Sequence, residues 1–140
     1  MKNLIILISC FALTFTSCTK DDKTTVTPTG STISTATPGT GWSVTLFTEP
    51  GENKTSNYTG YTFDFAADGT MTAVKGGVTV TGTWRQYPDD GKTKFAITLS
   101  TTDIHLMELN DAWELVSKSA SFISLKDDNS TSNEQLQFTK

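Results

Sequence analysis

The side chains able to do chemistry are few and widely spaced. His105 is the single imidazole among 140 residues. A nucleophilic triad built on it would take its orienting carboxylate from Asp103 or Glu108, with a nearby Ser or Thr as nucleophile. No serine has the frame of a nucleophile elbow, so His105 is expected in a surface loop. Asp89-Asp90 and Asp127-Asp128 offer paired carboxylates for acid–base work, and Asp127, Asp128 and Asn129 offer oxygens to a calcium ion. Both pairs fall in turn sequences, where Asp is favoured for hydrogen bonds to the local backbone, and solvated turns are the expected role. Gly76-Gly77 leads into a strand pattern rather than a helix, so it is a turn and not a phosphate cradle. One His and two Cys are too few for the usual zinc or iron–sulfur sites. The expectation is therefore a non-enzyme with no catalytic residue, no metal and no cofactor. A net charge of −4 and a pI near 4.8 leave no basic footprint for nucleic acid.

The two cysteines belong to the first 18 residues. Lys2 is followed by the apolar run Leu4–Leu13, too short to span a bilayer but of the length of a signal-peptide core. The run ends Phe15-Thr16-Ser17-Cys18 and turns abruptly polar at Thr19-Lys20-Asp21-Asp22. This segment resembles a bacterial lipoprotein signal, in which a small residue precedes an obligatory Cys. The resemblance implies cleavage before Cys18 and acylation of its thiol, so that residues 1–17 form the signal peptide. Cys10 would be lost, leaving a folded domain without cysteine. Several acyl chains anchor stably where one alone is marginal, each buried methylene contributing about 0.8 kcal/mol. Thr19 rather than Asp after the Cys implies delivery to the outer membrane, and Lys20-Asp21-Asp22 resembles the surface-export tag of Bacteroidota lipoproteins.

Residues 18–40 are rich in Thr, carry Pro28, Gly30, Pro38 and Gly39, and hold only Val26 and Ile33 as larger aliphatics. Such a segment cannot bury enough apolar surface to offset its ordering entropy, and a disordered linker is expected. Its root-mean-square reach is roughly 25 Å. The Asn-x-Thr and Asn-x-Ser/Thr patterns at Asn53, Asn57 and Asn129 are read as polar loops.

Residues 41–140 must build whatever site exists, and here apolar and polar residues alternate. Trp42, Val44 and Leu46 share one strand face; Tyr61, Phe63 and Phe65 share another. Asp68-Gly69, Gly76-Gly77 and Pro88–Gly91 mark turns that bound strands over Thr70–Lys75, Val78–Arg85 and Phe95–Leu99. Asp103–Asn110 reads as a short helical turn capped by Asp103. Trp113–Leu115, Phe122–Leu125 and Gln135–Thr139 complete about eight strands. One face buried and one wet describes an antiparallel sheet closed into a small barrel or meander, hence an all-β fold. Asp68-Gly69-Thr70, Gly82-Thr83-Trp84, Leu109-Asn110 before Trp113, and Leu136-Gln137-Phe138 together resemble the lipocalin-like lipoprotein domains of Bacteroidota. That resemblance implies a lipocalin-like barrel, often exposed on the cell, with no chemistry attached.

Trp84 and Trp113 are expected to fill the interior. Tyr58, Tyr61 and Tyr87 border predicted loops and are expected to line a rim, where aromatic rings suit a small apolar or glycan ligand. The functional expectation is a surface-tethered, non-enzymatic binding module at the outer membrane. The alternative is a structural subunit docking onto another cell-envelope protein through its Thr-rich outer face or an edge strand.

Overall fold

The computed structural model describes residues 39–129 and 131–140. The signal segment, Cys18 and the linker to residue 38 lie outside them. Nine strands follow one another: β1 (Gly39–Glu49), β2 (Glu52–Asn53), β3 (Thr62–Phe65), β4 (Thr70–Lys75), β5 (Val78–Asp89), β6 (Lys92–Leu99), β7 (Asp111–Lys118), β8 (Phe122–Lys126) and β9 (Gln135–Thr139). Among the described residues, a 3₁₀ turn (Thr55–Tyr58) and a four-residue helix α1 (Ile104–Met107) are the helical pieces. Every pairing is antiparallel, and β9 pairs back onto β1, so the sheet closes on itself. The expected all-β closed sheet is what the chain forms. β1 begins at Gly39, two residues inside the stretch expected as linker.

The strand order gives the barrel two distinct ends. Chain entry at Gly39, the C-terminus and the β3–β4, β5–β6 and β7–β8 turns share one end. The β1–β3, β4–β5, β6–β7 and β8–β9 connections, with α1 and the 3₁₀ turn, share the other, here the helical end.

Inward-facing rings fill the interior. Phe65 on β3 makes edge-to-face contacts with Trp42, Trp84, Phe95 and Phe138, at centroid distances of 6.1, 5.7, 5.6 and 5.3 Å. One side chain therefore touches β1, β5, β6 and β9. Phe47 meets Tyr58 and Trp113 near the helical end in the same way. Such pairs add about 0.5–1.5 kcal/mol each beyond the area they bury. All three tryptophans are buried, as their packing role requires. The helical end is closed by Leu106, Leu109 and Tyr58, all fully buried, and Trp113 Nε1 donates to Leu109 O at 3.0 Å. Towards the other end, Lys118 Nζ donates to the buried Gln86 Oε1 at 3.1 Å.

Strands β1, β2, β5 and β6 differ from what the sequence led one to expect. The register of β1 shifts between Val44 and Leu46, so Phe47 and not Leu46 enters the core; a bulge moves every later side chain to the opposite face. β5 and β6 extend the hairpin through Pro88, leaving Asp90 (φ 46°) and Gly91 (φ 74°) as the tight turn. The two-residue β2, too short to show a pattern, takes the count to nine.

Candidate functional site

At the helical end a cavity of about 430 Å³ lies between Tyr61, Lys75, Val78, Val80, Thr101, Thr102 and Asp103. Its position follows from the local sequence. Gly76-Gly77, both at positive φ, turns β4 tightly into β5 and leaves Lys75 and Val78 opposite one another at the strand ends. Asp103 lies within the β6–β7 connection as the N-cap of α1: its Oδ1 accepts from the amides of His105 (2.9 Å) and Leu106 (3.3 Å). Its Oδ2 accepts from the Tyr61 hydroxyl at 2.9 Å. That hydrogen bond, followed by the two amides, holds the Asp103 carboxyl below the usual carboxylate range. Partial burial and the same carboxylate raise the Tyr61 phenol. Lys75 Nζ sits over the Tyr61 ring, 4.7 Å from its centroid, while Phe63 packs against that ring at 5.9 Å. The cavity is thus a half-open groove of mixed lining, with a Val78/Val80 wall and polar groups from Lys75, Thr101, Thr102 and Asp103, outside the filled core.

The three tyrosines do not share a rim. Tyr61 lines the groove, half-buried. Tyr58 is fully buried, a correction to its expected exposure. The 3₁₀ turn points its ring inward onto Phe47, and its hydroxyl donates to His105 O at 2.9 Å, with Glu108 Oε2 at 3.3 Å. Burial, then the Glu108 charge, pushes the Tyr58 phenol far above its ordinary range. Tyr87 lies on the β5–β6 hairpin, paired with Lys94 towards the opposite end, under the Arg85 guanidinium at 4.5 Å. His105, expected in a surface loop, instead lies half-buried on α1; its Nδ1 lies 3.1 Å from Asn57 Nδ2 and 3.7 Å from Glu108. Asp103, the carboxylate expected beside it, is turned to Tyr61 and the helix amides instead.

A second cavity of about 460 Å³ lies on the outer face beneath the β8–β9 connection, among Lys92, Glu114, Lys126, Asp128, Glu134 and their neighbours. Asp128 pairs with Lys92 (2.8 Å) and with Lys94, and Glu114 pairs with Lys92 (2.8 Å) and Lys126 (3.1 Å). Hydrogen bonds from Lys92 first, then Lys94, hold the Asp128 carboxyl at about 2. Both Asp128 oxygens are engaged by lysines, and Asp127 Oδ1 accepts from Asn129 N at 3.1 Å. Asp89 and Asp90 stand exposed at the hairpin tip, Asp89 paired across β5 and β6 with Lys92 of that cluster.

Reading the sequence did not find Lys75 or Lys94. Lys94 occupies a regular outer-face position, and its burial depends on Asp128 reaching it from a loop thirty-odd residues away, which periodicity cannot show. Lys75 did carry a signal: it is the last residue before Gly76-Gly77, so it had to stand at a strand end.

No family model matches the chain, and no curated protein is similar to it. Among solved structures, a DUF4847 family protein from Bacteroides vulgatus resembles it, with 20% identity and a TM-score of 0.50 over 73% of this chain and 92% of that one. At that identity the likeness concerns the fold alone, an antiparallel barrel-like sheet.

Proposed function

We propose that the chain is an outer-membrane lipoprotein, anchored through acylated Cys18 and displayed at the cell surface, whose β domain is a non-enzymatic module that binds a glycan in the groove at Tyr61. The observation that carries the ligand class is the ring-filled interior. With Phe65 in contact with four other rings, an apolar ligand inside the barrel would have to displace packed side chains. A half-open groove that combines an aromatic ring, an aliphatic wall and threonine hydroxyls suits a sugar instead. Chain entry at Gly39 supports the orientation: a linker from the membrane would join the end opposite α1 and leave the groove facing outwards.

Two experiments test this. On a glycan array, the wild-type chain should be retained and Tyr61→Ala should lose retention without loss of fold; retention unchanged by Tyr61→Ala would defeat the assignment of the groove. Fractionation tests the anchor. Cys18→Ser should leave the membrane fraction, since no helix among the described residues is long and apolar enough to cross a bilayer and the β domain holds no cysteine. A mutant as tightly membrane-bound as wild type would refute acylation at Cys18.

The alternative, docking onto an envelope protein, has one observation in its favour. Val78 at the start of β5 and Ile104 and Met107 on α1 are exposed at the helical end.

A further inference from the structure

The ionic groups of the Tyr61 groove are unequally committed. Asp103 accepts three hydrogen bonds, two from α1 amides and one from Tyr61, so its oxygens are already engaged. Lys75 is in the opposite state. Lys54, Lys92, Lys94 and Lys126 each pair with at least one carboxylate, whereas no carboxylate among the described residues lies within ion-pair distance of Lys75. Its ammonium rests on the Tyr61 ring, 4.7 Å from the centroid, on an exposed strand end. An ammonium offers three donors and no acceptor. Lys75 can therefore donate to an anionic acceptor that enters the groove.

Resting on the reading of this groove as a glycan site, we infer that its ligand is an acidic sugar, a uronic-type residue whose carboxylate is taken by Lys75 while its ring lies along Val78 and Val80. An ammonium has three donors, so Lys75 can stay on the Tyr61 ring while it donates to the carboxylate, and its exposure keeps the gain small. The rest of the molecule works against an anion, because the net charge is −4 and Asp103 lies in the same groove. Selectivity must then rest on Lys75, and removing its charge should reverse the preference rather than merely weaken it.

The test compares the full-length chain in detergent against uronic-acid oligosaccharides (galacturonate, glucuronate and mannuronate), each beside its methyl ester. Wild type should bind the acids about fivefold more tightly than the esters. Raising the salt concentration should shrink that ratio. Lys75→Gln keeps the exposed stem and removes the charge; it should bind the esters at least as well as the acids. Equal binding of acid and ester by wild type, or an acid preference that survives Lys75→Gln, would overturn the inference. Retention of the esters that depends on Tyr61, without acid preference, would spare the groove as a glycan site and reject its charge selectivity. Binding of neither form would reject both.

Discussion

Gly82 is set by its neighbours rather than by a turn. It sits within β5 between Met71 of β4 and Leu99 of β6, and an ideal Cβ there would stand 2.7 Å from Leu99 Cα, in close conflict with Thr98 as well. Backbone cannot yield as a flexible side chain does, so Gly82→Ala should force β5 and β6 apart and cost about 3 kcal/mol or more. Urea unfolding would measure it; a loss under 0.5 kcal/mol would show that the strands approach less closely. Alternation along β5 sets Gly82 on the same face as the buried Trp84. It did not reveal the close approach, which depends on Thr98 and Leu99, sixteen and seventeen residues away. The tyrosines show the same boundary. Tyr61 was legible as a rim residue from its place at the start of a strand. Tyr58 was not legible as buried, since its hydroxyl is satisfied by His105 O, forty-seven residues along the chain.

Elements bounded by strong turns were readable, and those fixed by distant contacts were not. Asp68-Gly69 and Gly76-Gly77 located β3, β4 and β5, and Asp103 located α1, because each signal is contained within a few residues. The bulge in β1 and the fold of the β8–β9 connection over the outer face have no such local signal; the second depends on Asp128 reaching Lys92 and Lys94. That clamp should respond to acid in a defined direction. The folded-state pKa of Asp128 is depressed to about 2 from an ordinary 3.8, so its contribution is present above the unfolded value and lost as pH falls through about 2. Asp128→Asn should therefore flatten the stability profile between pH 4 and pH 2. It should also speed amide exchange at Asp127 and Asn129 at neutral pH. Exchange rates equal to wild type there would mean that the connection is held by something other than these lysines.

On the scale of the whole molecule, closure of the sheet and filling of the barrel decide where a ligand goes. Nine antiparallel strands close through β1 and β9, rings from β1, β3, β5, β6 and β9 meet in the middle, and α1 with Tyr58 seals one end. Alternation foretold the closed all-β architecture; the filled interior was only suggested by the number of aromatics, because whether rings meet across a barrel depends on strand register and shear. Of the two cavities described, the one on the helical rim, at Tyr61, is proposed as the site. Its most direct test is an amide chemical-shift titration of the isotopically labelled Cys18→Ser chain with trigalacturonate. The shifts should cluster at Tyr61, Lys75, Val78, Val80 and Thr101–Asp103, with the amides of Phe65, Phe95 and Phe138 unmoved. Shifts spread through those core positions, or no shift at the groove, would contradict a rim site on a filled barrel.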